Sequence, residues 1–193
     1  MEIMRIGVVG CTHELGDGKG QPIEVLEILS TVDLILHCGD LETLGILDHL
    51  ETIAPVKAVR GYGDPHESGD RLAEQTRVIK VGDVSIGMIH DINWPGPSVV
   101  FSDTLEFKNL TSIDSLLEKK FGETVDVICF SDTHEEYIGW YKGKLFVNPG
   151  STAHPGIRHK KNDLGTLAIL NIKNNVVSAE IIYLKYINQY KRV

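Results

Sequence analysis

Short apolar runs alternate with polar, glycine-bearing loops along the chain, and the runs fall into two periods. Ile3 to Val9 and Asp33 to His37 are near-continuous apolar stretches rich in Ile, Val and Leu, the signature of strands buried on both faces. Between them, Pro22 stands where a helix can begin, and Val25, Leu26 and Leu29 share one face at helical spacing. A second helix is predicted over about Leu41 to Leu50 and a third strand over Val56 to Arg60. Strand and helix in alternation predict right-handed crossovers and a parallel sheet. The rhythm then changes. Arg77 to Val81 and Val84 to Ile89 read as strands joined by Gly82-Asp83, a hairpin signal. A long connection with Trp94-Pro95-Gly96-Pro97 and Phe101 follows, its prolines breaking any period. Thr111 or Ser112 can cap a helix running to about Phe121, with Leu116 and Leu117 inward. Further strands are predicted over Val125 to Phe130, Tyr137 to Trp140, Lys144 to Val147, Leu164 to Ile172 and Val176 to Leu184. The fold class expected is α/β, with two packed mixed sheets and helices outside them.

Composition narrows the function classes. A length of 193 residues with 42% apolar and 24% charged positions suits one globular domain, taken as 1–193. The net charge of −8 argues against a nucleic-acid groove as the main binding surface. It leaves room for a phosphate ester, because bound cations reverse a local field. Three cysteines, Cys11, Cys38 and Cys129, lack framework spacing and fit a reducing compartment. The opening segment is too short and too charged to read as a secretory signal, and no apolar run approaches a membrane span, so a cytoplasmic protein is expected.

The chemistry is concentrated where the predicted strands end. In order, the loops read Gly10-Cys11-Thr12-His13, His37-Cys38-Gly39-Asp40, Gly61-Tyr62-Gly63-Asp64, His90-Asp91, Ser131-Asp132-Thr133-His134 and Asn148-Pro149-Gly150-Ser151. Ligand-type residues spread over several strand ends are what a two-metal hydrolytic centre requires. A Walker phosphate loop is missing from the glycine-rich Leu15 to Gly20 segment, and no serine nucleophile elbow appears.

Six such motifs in this order resemble those of the calcineurin-like metallophosphoesterases, in the small single-domain prokaryotic phosphodiesterase branch that also includes the retromer subunit of this fold. The resemblance runs from Ile6 to about Ile172 and implies a four-layer αββα sandwich. It implies a first metal held by Cys11, His13, Asp40 and His134, and a second held by Asp40, His90 and Asp132, with Tyr62 at the remaining position. Three of these depart from the family's pattern: Cys11 stands for an aspartate, Tyr62 for an asparagine and Asp132 for a histidine. A thiolate shifts preference toward zinc or iron and away from manganese or magnesium. Tyr62 can ligate as a phenolate or fill the space of the second ion. Asp40 is the expected catalytic bridge; Asp64, placed with it among the catalytic residues, keeps the acid of the third motif and is expected to orient that loop. His37 is expected to orient Asp40, Asn148 to hold loop backbone, and Arg158 to meet a carboxylate or a substrate phosphate.

The activity implied is hydrolysis of a phosphodiester or an activated phosphomonoester by metal-activated water, with one or two divalent ions of zinc, iron or manganese. Gly63 stands where some larger relatives carry a histidine, so no general acid is evident. The alternative implied by the retromer relative is a non-catalytic scaffold with a protein partner or a second copy of the chain. The Trp94 to Phe101 connection reads equally as its candidate surface, as a lid over the metal site, or as packed loop.

Overall fold

The computed structural model describes residues 3–66, 71–101, 105–107, 112–160 and 162–184. In chain order, β1 (Met4–Val9), α1 (Ile23–Leu29), β2 (Leu34–His37), α2 (Gly45–Glu51) and β3 (Val56–Ala58) make up the first third. The hairpin β4 (Thr76–Val81) and β5 (Val84–Ile89) follows, then a two-stranded ribbon of β6 (Val99–Phe101) and β7 (Leu105–Phe107). Then come α3 (Ile113–Phe121), β8 (Val127–Cys129), β9 (Tyr137–Tyr141), β10 (Lys144–Asn148), β11 (Thr166–Lys173) and β12 (Val176–Tyr183).

Two five-stranded sheets result, with orders β12-β11-β1-β2-β3 and β4-β5-β8-β10-β9. The alternation of side chains along each strand sorts them into layers. On β2, Leu34 and Leu36 point between the two sheets, where they meet Ile6, Val8, Ile86, Met88, Val127 and Leu145. Ile35 points the other way, into a second cluster with Val25 and Leu29 of α1 and Leu47 and Leu50 of α2. On the far side, Ile128, Phe130 and Phe146 pack against Leu116 and Leu117 of α3. The order of layers is therefore helix, sheet, sheet, helix, the sandwich expected. Each fully buried Leu, Ile or Phe contributes about 1.5–3 kcal/mol, so the central layer is the main source of stability.

Both sheets are mixed. In the first, β1, β2 and β3 run parallel as predicted, while β11 lies antiparallel to β1 and β12 to β11. In the second, β5, β8 and β10 are mutually parallel at its centre. The parallel strands bring their C-terminal ends to one edge of each sheet, where an open α/β sheet places its site.

Three predicted elements are shorter than their apolar runs. The helix expected from Leu41 begins only at Gly45, because Asp40 and Glu42 take left-handed backbone (φ 54° and 66°) and the Leu41 and Glu42 N–H groups donate to Asp64. The strands predicted over Val56 to Arg60 and Val125 to Phe130 shrink to β3 and β8, their flanks bending toward the site loops. Ser112 caps α3 by accepting from Ser115 N, and Gly122 closes it with a left-handed φ of 79°; Thr111 lies outside the described residues. The connection after His90 carries the ribbon and packs inward at Ile92 and Phe107, leaving Trp94 44% exposed. Among the described residues no helix is long and apolar enough to cross a membrane.

Candidate metal centre

Three of the strand-end loops share one backbone signature. Cys11 and His13 after β1, Asp40 and Glu42 after β2, and Asp132 and His134 after β8 all have φ between 46° and 72°. Left-handed backbone costs a non-glycine residue about 1–2 kcal/mol, so paired occurrences at i and i+2 in three loops need surrounding structure to impose them. Cross-loop bonds do so. Cys11 N, His13 N and Glu14 N donate to the Gly39, Asp40 and Leu41 carbonyls at 2.9, 3.1 and 3.1 Å.

Asp64 anchors the second loop. Its buried carboxylate accepts from the backbone N–H of Asp40, Leu41, Glu42 and Gly61 at 2.7–3.0 Å. Four donors use the lone pairs of both oxygens, so Asp64 positions the loop that carries Asp40. Gly61 is obligatory for a related reason: a Cβ there would stand 2.2 Å from Asp40 Oδ1. His37 acts on backbone and on a neighbouring hydroxyl. Its Nδ1 accepts from Gly39 N and its Nε2 meets Thr12 Oγ1 at 3.0 Å, so it steadies both loops without bonding the Asp40 carboxylate. Burial depresses its pKa to about 4, which keeps the ring neutral.

The side chains these loops carry converge. His13 Nδ1 lies 2.6 Å from Glu42 Oε1, and His134 Nδ1 lies 2.5 Å from the His154 carbonyl oxygen. Both partners can only accept, so each Nδ1 carries the hydrogen. The two Nε2 atoms, 3.2 Å apart, then present lone pairs to each other when the rings are neutral. His90 repeats the arrangement. Its Nδ1 donates to the Cys38 carbonyl at 2.8 Å, and its buried Nε2 lies 3.3 Å from Asp40 Oδ2 and 3.5 Å from Asp132 Oδ1 without a hydrogen-bond partner. Burial lowers the His90 pKa, but the Asp132 and Asp40 carboxylates outweigh it and raise it to about 10. Burial likewise works to raise Asp40, and His90 with the Gly63 N–H brings it down to about 2. The Asp40 and Asp132 carboxylates therefore surround His90 Nε2 with negative charge.

Cys11 lies at the centre of the cluster, with no exposed surface and Sγ 2.9 Å from Ser131 Oγ. Burial pushes its thiol up to about 12, with Ser131 opposing and Asp40 and Asp132 reinforcing. Two ligand triples have all their donor atoms within 4.8 Å of one another: Cys11, His13 and His134, and Cys11, Asp40 and His90. Lone-pair nitrogens, a buried orphaned Nε2, carboxylates and a sulfur in one place fit a divalent metal.

Tyr62 stands outside this set. It is 67% exposed, its hydroxyl donates to Asp91 Oδ2 at 2.8 Å, and its ring meets the His90 ring edge-on at 5.5 Å. The Asp91 bond, with burial adding to it, raises the phenol pKa to about 12, and the ring covers one edge of His90. Asn148 grips the late loop, donating to Ser131 O and Thr133 Oγ1 and accepting from Gly150 N. Arg158 meets carboxylates: its Nε is 2.5 Å from Glu135 Oε2, and its NH2 donates to the Glu136 carbonyl.

The sequence reading missed Glu42, Ser131 as partner of the sulfur, and the His154 carbonyl. It also missed a buried chain from Glu14 through Gln21 to Thr152 that ties the first loop to the last. Glu42 follows Asp40 by two residues, a hint only once the loop's left-handed turns are known. A backbone carbonyl leaves no trace in side-chain pattern at all.

Histidine, carboxylate and thiol donors thus gather at the strand ends of a two-sheet sandwich. The chain belongs to the calcineurin-like phosphoesterase superfamily, whose domain model matches residues 4–175. It is 34% identical over 153 residues to a probable metallophosphoesterase of Methanocaldococcus jannaschii, covering 79% of this chain and 70% of the relative. In fold it is similar to a Vps29 of Entamoeba histolytica complexed with zinc, at 23% identity and a TM-score of 0.60, covering 94% of this chain and 99% of that one. It is similar in fold also to an archaeal phosphodiesterase, at 18% identity and a TM-score of 0.60, covering 93% of this chain and all of the other.

Proposed function

We propose that this chain is a metal-dependent phosphoesterase acting on phosphodiesters or activated phosphomonoesters, working as a single domain in the cytoplasm. The observation that carries the reading is the meeting of three histidine Nε2 atoms with Cys11, Asp40 and Asp132. Cys11, His13, Asp40 and His134 would hold one ion, and Asp40, His90 and Asp132 a second, with zinc, iron or manganese the candidates. Bound divalent ions lower the pKa of water and neutralise charge on a phosphoryl group.

The protein's own part is positioning. Glu42 and the His154 carbonyl turn the lone pairs of His13 and His134 inward. Asp64 holds the Asp40 loop, and Tyr62 covers the His90 edge. No side chain from the third motif offers a proton to a leaving group, since Gly63 stands there. Substrates with good leaving groups are therefore favoured.

Exposed Tyr62 and Trp94 on one rim support the second reading, a scaffold that docks a partner. The deciding experiment is hydrolysis of a bis-aryl phosphate with and without added divalent metal, in wild type and His13→Ala. Metal-dependent turnover lost in the variant supports the enzyme. Turnover that survives His13→Ala, or a protein that takes up no transition metal, sends the reading to the scaffold.

A further inference from the structure

Two ligands of one ion can stand no farther apart than twice the bond length, about 4.6 Å for zinc with sulfur. The donor atoms of each triple lie within 4.8 Å of one another, close to that reach, and the atom they have in common is Cys11 Sγ. The Asp40 carboxylate falls in the His90 triple: its Oδ2 faces His90 and its Oδ1 accepts from Gly63 N at 2.9 Å. The sulfur is held where it is. Cys11 N donates to the Gly39 carbonyl, and its own carbonyl accepts from Ser151 Oγ at 2.7 Å. In the second triple, His90 Nε2 is buried, makes no hydrogen bond of good geometry, and faces Asp40 Oδ2 at 3.3 Å and Asp132 Oδ1 at 3.5 Å, an acidic setting that suits a cation.

We propose that Cys11 is a shared ligand, its sulfur bridging the two metal ions. This rests on the metal-centre reading above and deepens it. Binding exchanges the S–H bond for two S–metal bonds, with the proton released to solvent. The consequence is selectivity. A bridging sulfur makes both positions, rather than one, prefer zinc, cobalt(II) or iron(II) over magnesium and manganese. Replacing the family's aspartate by cysteine would thus change the metal preference of the entire centre through a single residue.

The test is zinc-edge X-ray absorption on the full chain saturated with zinc, with stoichiometry from elemental analysis. The expected result is two zinc ions per chain and about one sulfur neighbour per zinc at about 2.3 Å. About half a sulfur per zinc places Cys11 on one ion only and overturns the proposal. So does no sulfur at all, or saturation at a single ion, and each leaves the metal-centre reading standing. A chain that takes up no metal ends both. Cys11→Asp restores the family's residue and guards against a variant that fails to fold. It is expected to bind metal with no sulfur neighbour, to lose the sulfur-to-cobalt charge-transfer band of the cobalt(II) form, and to lower the zinc-over-manganese preference by at least about tenfold. An unchanged preference in a folded Cys11→Asp protein also overturns the proposal.

Discussion

Glu42 Oε1 lies 2.6 Å from Nδ1 of His13 and so decides which nitrogen of that ring faces the centre. Glu42→Ala should leave the fold intact and weaken metal binding about 10–100-fold, the usual effect of losing a residue that orients a ligating histidine. Competition with a chromophoric chelator measures it. An affinity equal to wild type would mean that backbone alone orients His13.

Asp64 predicts a different phenotype. Its carboxylate serves four backbone N–H groups from two loops, and it is 4% exposed. Asp64→Ala strands those donors and should lower unfolding free energy by at least about 3 kcal/mol, read from urea denaturation of the metal-free protein. Asp40→Ala, by contrast, should abolish metal uptake with a smaller loss of stability. If the two variants reverse this order, the division between ligand and anchor is wrong.

Gly61→Ala introduces one carbon where no room exists, 2.2 Å from Asp40 Oδ1 and 2.4 Å from Asp40 N. The variant is expected to keep its circular dichroism spectrum and to lose most of its metal on elemental analysis, because Asp40 must move. Full metal content would show that the loop yields without disturbing the carboxylate.

Lys120 gives a pH test away from the centre. It is 4% exposed, and Nζ donates to the Trp94 carbonyl at 2.6 Å. Burial lowers its pKa from the ordinary 10.5 to about 8, with Asp91 opposing. Between those two values the unfolded chain binds more protons than the folded one, so this group's contribution to stability rises with pH. Wild type minus Lys120→Met should therefore show unfolding free energy climbing by about 1–3 kcal/mol from pH 8 to 10.5. A flat difference would mean that Lys120 is solvated in the folded protein.

Much of the architecture was legible because it follows from local pattern. The apolar runs gave the strands, Pro22 and Ser112 the helix starts, and Gly82 with Asp83 the hairpin. The element ends were less legible. The run Leu41 to Leu50 reads as helix throughout, yet its first turn is unwound by Asp64, a residue over twenty positions away. The metal-centre residues were nameable from their order, but not the partners that aim them.

The sequence alone determined which residues bury, hence two sheets between helices, and placed a donor-bearing loop after each parallel strand. Only the tertiary structure decided which nitrogen of each histidine faces the centre, that one Asp64 carboxylate serves N–H groups of two loops, that Tyr62 turns to Asp91, and that the Cys11 sulfur reaches both ligand groups. The physical reason is that burial is set residue by residue through hydrophobic spacing. The direction of a lone pair or a hydroxyl is set by whichever acceptor or donor the remainder of the chain brings within about 3 Å of it.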